Sequence, residues 1–377
     1  MSKPIIHLWS IAGSDRNIAR QLGLRSTPQL VGLVQDAVGP DYKVTANVKL
    51  FEAKVDERRG GRSDDAARAR DIERALADDR ISAIVSVRGG AWLARILPHV
   101  NFDVLKKRKT IVHVFGFSEL TALINIVARY PKVRAHYDMG PGFAMWGLRN
   151  YAMANYDELS HSAARQTVTT SARAPDKSGF SRRAGTRGSP EGITAFALSW
   201  AKANFKREFL AFFLDVIEII EGRGSARTLE GRLVRGTLKQ KQKIKVVGGC
   251  LSTLVTLLGS PYQKCLAAAG RWLAIEDIRE DYYRIDRYLA QLKLAGVWER
   301  CAGLLIGDFH LDAEDQTDAI LRLLKYHLPA RRDLPIIAHC NFGHCFPMAS
   351  LPINQPLIVS RDRGRNGKRV KILAASK

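Results

Sequence analysis

Hydrophobic and polar positions along this chain fall into two rhythms, short apolar runs and longer amphipathic stretches, which alternate from the first residues onward. Ile5 to Trp9 is a short apolar run closed by Ala12-Gly13-Ser14-Asp15, a turn or helix-capping sequence. Residues 65–79 carry helical periodicity and many good helix formers. Ile81 to Val87 predicts a strand, Arg88-Gly89-Gly90 a tight turn, and Ala91 to Leu97 the start of a helix. The unit then repeats, with a β-branched strand at Thr110 to Phe117 and a helix at Glu119 to Tyr130. Strands alternating with helices predict a parallel sheet that binds ligands at the carboxyl ends of its strands.

The rhythm breaks after about residue 155. Residues 160–191 are rich in Ser, Thr, Gly, Ala and Arg, which predicts a mobile loop or linker. Residues 192–222 turn apolar again around Phe209-Leu210-Ala211-Phe212-Phe213 and predict helix, so 155–235 reads as linker plus helical decoration. From Lys239 onward, lysines alternate along a strand with one basic face that ends at Gly248-Gly249. Further strands are expected at Gly270 to Ile275, Gly303 to Ile306 and Pro335 to Ala338, with helices at Tyr282 to Leu294 and Thr317 to Tyr326 and a basic tail from Arg361 to Lys371. The expected organisation is an N-terminal domain over 1–150, a basic linker or insertion over 151–238, and a C-terminal domain over 239–377. The fold class is α/β.

Composition changes this picture in one respect. Hydrophobic residues make up 46% and charged residues 25% of the 377, as in an ordinary globular chain, but 59 Lys+Arg against 37 Asp+Glu leave a net charge of +22. Such an excess fits a polyanionic partner or simply a solvated basic surface. The interleaved aromatic and basic residues of a single-strand binder are missing, so nucleic acid is possible as a partner but not favoured. Five cysteines (Cys250, Cys265, Cys301, Cys340, Cys345) without disulfide spacing fit a reducing compartment. The N-terminus lacks a signal-peptide pattern and no stretch would span a bilayer. A soluble, cytoplasmic protein without a membrane partner is expected.

Candidate chemistry gathers at predicted strand ends. Ser118 stands between a strand and a helix in Gly116-Phe117-Ser118-Glu119-Leu120, where helix N-terminal N–H groups stabilise developing negative charge. The arrangement is like a nucleophile elbow without its G-x-S-x-G pattern, though a serine there is more often only a helix N-cap. Arg88-Gly89-Gly90 occupies the equivalent place one unit earlier, as an oxyanion donor or merely a tight turn. Glu276 at one strand end and His344 in the loop after another can meet over the sheet as orienting carboxylate and base. His339-Cys340 and His344-Cys345 allow a zinc reading, but adjacent residues on an extended chain point opposite ways.

Taken in order, these segments resemble the LD-carboxypeptidase family, serine peptidases that include muramoyltetrapeptide carboxypeptidase and microcin C self-immunity proteins. Ile84 to Gly90 with Arg95-Ile96-Leu97-Pro98 is similar to the family's RGG-helix-LLP segment, and Phe115 to Leu123 to its nucleophile segment. Val246-Val247-Gly248-Gly249, Leu257-Leu258-Gly259-Ser260, Leu273 to Asp277 with Tyr283 to Arg287, and Gly343-His344 continue the match over most of 60–130 and 240–350. The resemblance implies a flavodoxin-like N-terminal parallel-sheet domain and a smaller C-terminal α/β domain, with Ser118 as nucleophile, Glu276 as orienting carboxylate and His344 as base. It also implies oxyanion donors at the backbone of Gly90 and Glu119, a murein tetrapeptide or related peptide as substrate, and no metal or other cofactor. Arg88, Gly89 and Trp92 are substrate-binding candidates, and a homodimer is plausible. Glu119, Trp92 and Cys250 depart from the family's Asp, Tyr and Asn, and Gly140-Pro141 keep its H-G-P segment only in part, with His136 displaced. Two other functions remain open: hydrolysis of a peptidyl or aminoacyl nucleotide, with Trp92 or Trp146 stacking on adenine, and an idle member that binds polyanions.

Overall fold

The computed structural model describes residues 3–13, 16–47, 60–61, 63–160, 190–225, 227–266, 269–310, 316–329, 333–361 and 368–375. Five short apolar strands lie parallel in its first sheet: β1 (Ile5–Trp9), β2 (Lys43–Ala46), β3 (Ile81–Ser86), β4 (Val112–Gly116) and β5 (Val133–Tyr137). The order β5-β4-β3-β1-β2 reverses direction of progression beside β1, so the loops after β1, β3 and β4 open into one crevice. Both faces are covered. On one face Phe205, Phe209 and Phe213, spaced by four along the helix Pro190–Ile220, are buried with Ile6, Leu8, Ala83 and Val85. The region expected to be decoration is therefore a wall of this domain.

The remaining strands are β6 (Leu229–Arg235), β7 (Lys241–Cys250), β8 (Trp272–Ile278), β9 (Gly303–His310), β10 (Ile336–Ala338), β11 (Leu351–Ile353), β12 (Pro356–Arg361) and β13 (Arg369–Ala374). All but β11 close into a barrel in the order β10-β6-β13-β12-β7-β8-β9. Lys241, Lys243 and Lys245 face outward between the buried Ile244 and Val246, as the alternation along β7 predicts. The fold is the expected one, a flavodoxin-like sheet domain joined to a second α/β domain.

Three boundaries differ from expectation. The break at 150 falls inside the helix Ala144–Ala154, and β6, placed in the linker, pairs with β10 and β13 in the barrel. β11 leaves the second domain and adds antiparallel to β5, so the C-terminal segment also closes the first sheet. The described residues of the basic tail belong to the antiparallel pair β12 and β13, with Val370 and Ile372 buried beside the exposed Arg369 and Lys371. Residues 161–189, most of the stretch expected to be a mobile linker, lie outside the described residues, as do 362–367.

One helix docks the two domains. Thr121–Val127 is buried along its whole length, and Asn125 within it grips the backbone of Gly248 on β7 at both ends. Its Nδ2 donates to the Gly248 carbonyl at 2.8 Å and its Oδ1 accepts from the Gly248 N–H at 3.0 Å. Asn125→Ala orphans both buried groups and is expected to lower unfolding free energy by about 2–4 kcal/mol. Urea titration reads the effect; a midpoint equal to wild type would contradict this account.

Candidate active site

Ser118 begins a short 3-10 turn directly after β4, with φ at +56°. A non-glycine residue in the left-handed region stores backbone strain and is tolerated where the surrounding structure imposes it. Here the imposed conformation turns the serine out of the strand and ahead of the buried helix Thr121–Val127. A hydroxyl so placed lies beside N–H groups without helical partners. Gly89 makes room for it: a Cβ at 89 would sit 2.9 Å from Ser118 Cβ and 3.4 Å from its Oγ. Gly89→Ala is therefore expected to push Ser118 aside and cost about 100-fold in kcat/KM. The melting temperature checks that folding survives; unchanged kinetics in a folded variant would show that the serine does not need this space.

Glu276 and His344 meet as the sequence suggests. Glu276 lies inside β8 rather than at its end, is fully buried, and accepts from His344 Nδ1 at 2.7 Å and from the His344 N–H at 3.1 Å, both through Oε2. Because Nδ1–H donates to the carboxylate, Nε2 carries the lone pair and can take a proton. Gly343, at φ +102°, brings the loop down onto the acid, since a Cβ there would lie 2.5 Å from Glu276 Cγ. Phe117 and Phe143 hold the imidazole, with ring centroids 5.1 and 5.3 Å away.

Ser118 and the His344–Glu276 pair come from different domains, and Tyr137, at the end of β5, joins them. Its hydroxyl accepts from the Ser118 N–H at 3.1 Å and donates to Glu276 Oε1. Thr121 makes a second link, donating to the Ser118 carbonyl at 2.6 Å and accepting from the Cys250 N–H at 3.0 Å. Among the described residues, the Ser118 hydroxyl makes no hydrogen bond to the His344 ring. Catalytic hydrogen bonds are often open before substrate binds.

The other candidates surround this core. Glu119 spends its side chain on the Leu93 and Ala94 N–H groups, at 2.7 and 3.4 Å, and so ties the serine turn to the glycine-rich loop. Burial raises its pKa above the ordinary carboxylate value. Gly90 packs backbone to backbone on Gly13, and the half-buried Arg88 lies over the same Gly13 turn. Trp92, at φ +62°, lays its indole against Gly61 while its carbonyl accepts from the buried Arg68. Cys250 is buried, with Sγ 3.5 Å from Asp277 Oδ1. Burial and the adjacent Glu276 push Asp277 up to about 7.

His136 is not part of the site. It stacks on Phe115 and bonds to His113, and burial holds its proton affinity well below the usual imidazole value. The zinc reading finds no convergence: His339 pairs with Asp318, Cys340 Sγ points to the Ile337 carbonyl, and His344 is held by Glu276. Among the described residues, no three His, Cys, Asp or Glu side chains form a metal-binding group.

Sequence reasoning missed Tyr137 and Asn125. Asn125 had a signal, a lone amide in an otherwise apolar helix. Tyr137 had one too, the apolar–polar alternation of Val133-Arg134-Ala135-His136-Tyr137.

The sequence matches the LD-carboxypeptidase N-terminal domain over residues 30–137 and the LD-carboxypeptidase C-terminal domain over residues 244–359. The chain belongs to the LD-carboxypeptidase family. Its relatives include a candidate carboxypeptidase of Streptomyces coelicolor, 25% identical over 80% of this chain and 76% of that protein. A candidate murein peptide carboxypeptidase of Bacillus subtilis is 25% identical over 86% of both chains. Among solved structures, an MccF-like protein from Bacillus anthracis superposes with a TM-score of 0.60 at 16% identity, covering 100% of this chain and 98% of that one. The microcin C7 self immunity protein MccF in complex with aspartyl sulfamoyl adenosine gives a TM-score of 0.57 at 15% identity, covering 100% and 97%. These structural likenesses establish that the chain has the MccF-like fold. None of its described helices is long and apolar enough to cross a membrane.

Proposed function

We propose that this member of the LD-carboxypeptidase family hydrolyses the C-terminal peptide bond of a murein tetrapeptide or a related peptide through Ser118, His344 and Glu276. The observation that carries the reading is the strained Ser118 turn, joined through Tyr137 to the Glu276 that holds His344 at 2.7 Å. His344 Nε2 takes the Ser118 proton as Oγ attacks the carbonyl before the terminal residue. The backbone N–H groups of Gly90 and Glu119 receive the oxyanion, each such donor being worth about 3 kcal/mol. As the tetrahedral intermediate collapses, the C–N bond breaks and His344 gives its proton to the leaving amine, leaving the acyl group on Ser118. Water then attacks with His344 again as base, releasing the shortened peptide and restoring the serine. The Ser118–His344 hydrogen bond is the one contact this cycle adds to the structure.

One observation favours a second reading, cleavage of an aminoacyl nucleotide. Trp146 packs on Phe143 and His310, with centroids 4.9 and 5.3 Å apart, and Phe143 touches His344. An aromatic wall beside the base suits stacking on a nucleobase, and a structural neighbour binds an aminoacyl sulfamoyl adenosine. The purified protein should be given murein tetrapeptide and aspartyl sulfamoyl adenosine in parallel. A higher kcat/KM for release of the terminal D-alanine supports the peptide reading; a higher value for the nucleoside overturns it in favour of the second. The peptide reading also makes the basic surface a solvated one rather than the site of function.

A further inference from the structure

Tyr137 carries an inference that rests on the serine-peptidase reading of the site and deepens it. Its hydroxyl has one proton and lies between two groups of fixed polarity. The Ser118 N–H can only donate, so Tyr137 Oη accepts there at 3.1 Å. The proton of the hydroxyl is thereby committed to Glu276 Oε1. Glu276 then receives three donors in all, one on Oε1 from the first domain and two on Oε2 from His344. A carboxylate with no solvent exposure is stable as an anion only with such partners.

We infer that Tyr137 is a positioning residue of the hydrolytic reaction, whose hydroxyl registers the nucleophile's backbone against the orienting carboxylate across the domain boundary. The tyrosine belongs to the first sheet and Glu276 to the barrel, so the bridge fixes the relative placement of serine and histidine. It also withdraws charge from Glu276 Oε1. Without that donor the carboxylate holds the His344 proton more strongly. The acid limb of the pH–rate profile reads that change. The other titratable groups facing this cluster are Asp277 and Cys250 beside Glu276 and Tyr137, and Cys345 with Asp308 on the His344 side.

Tyr137→Phe keeps the buried ring and removes only the hydroxyl. It is expected to lower kcat about 10- to 100-fold, as loss of a hydrogen bond to a charged group does, with KM within about threefold of wild type. The acid limb of the kcat/KM profile should move up by about one pH unit. Tyr262→Phe deletes another tyrosine hydroxyl, one that donates to the Leu97 carbonyl at 2.9 Å away from the dyad, and should leave that limb in place. A fluorophosphonate that labels activated serines separates the two levels of the argument. Labelling of wild type but not of Ser118→Ala, with slowed labelling of Tyr137→Phe, supports the inference. Equal labelling and equal pH limbs in wild type and a folded Tyr137→Phe overturn the inference and leave the serine reading intact. Absence of label on Ser118 in wild type overturns the serine reading itself, and the inference with it.

Discussion

Ser118→Ala is expected to lower kcat for D-alanine release by roughly 10⁵–10⁶-fold, the scale seen when the nucleophile of a serine peptidase is deleted. The reason lies in how little else near the site can replace it. The Thr121 hydroxyl is already spent on the Ser118 carbonyl and the Cys250 N–H. Cys250 is buried, and loss of solvent with Asp277 nearby raises its thiol well above the ordinary range, so it holds its proton. The Cys345 thiol is likewise raised, by loss of solvent first and by Asp308 second. Alanine fits the space beside Gly89, and a left-handed backbone costs serine and alanine about equally, so stability should change by less than about 1 kcal/mol. Circular dichroism and a melting curve check the fold; D-alanine release checks the chemistry.

Glu276→Gln is expected to have the second largest effect, a fall in kcat of roughly 10³–10⁴-fold. A glutamine can offer its oxygen to both His344 donors, which preserves the tautomer. Its amide nitrogen then faces Tyr137 Oη, which already accepts the Ser118 N–H and is left without an acceptor for its own proton. The neutral side chain also loses the attraction that stabilises the imidazolium formed when His344 takes the serine proton. The loss should appear in kcat with little change in KM, because the imidazolium exists only along the reaction. A large rise in KM with kcat preserved would instead place Glu276 in substrate binding.

Much of this arrangement was legible in the sequence because the groups concerned sit at strand ends, where short apolar runs stop and chemistry-bearing residues begin. Ser118 after β4, Gly89 after β3 and His344 after β10 all follow that rule. Glu276 did so less cleanly, since β8 continues through it to Ile278 and the acid is a core residue. Features that depend on tertiary context were hidden. By contrast, β5 and β13 alternate apolar residues with Arg, His or Lys, a strand signal that the sequence reading passed over. The three residues of β11 are too few to show a period, and only pairing with β5 makes them a strand. Tyr137 and Asn125 act across the domain boundary, and although the lone amide of Asn125 stands out in its helix, no local pattern reports which groups they will meet in a second domain. Glu119 was expected to matter through its N–H alone, whereas its side chain also binds the loop at Leu93.

The central claim is that Ser118 becomes covalently attached to the acyl part of the substrate. The most direct measurement is mass spectrometry of the enzyme acid-quenched during turnover of murein tetrapeptide, followed by digestion and mapping. The account predicts an adduct with the mass of the shortened peptide, less water, on the fragment that contains Ser118, absent from Ser118→Ala. An adduct on another residue, or undiminished D-alanine release by Ser118→Ala with no adduct at all, would contradict it.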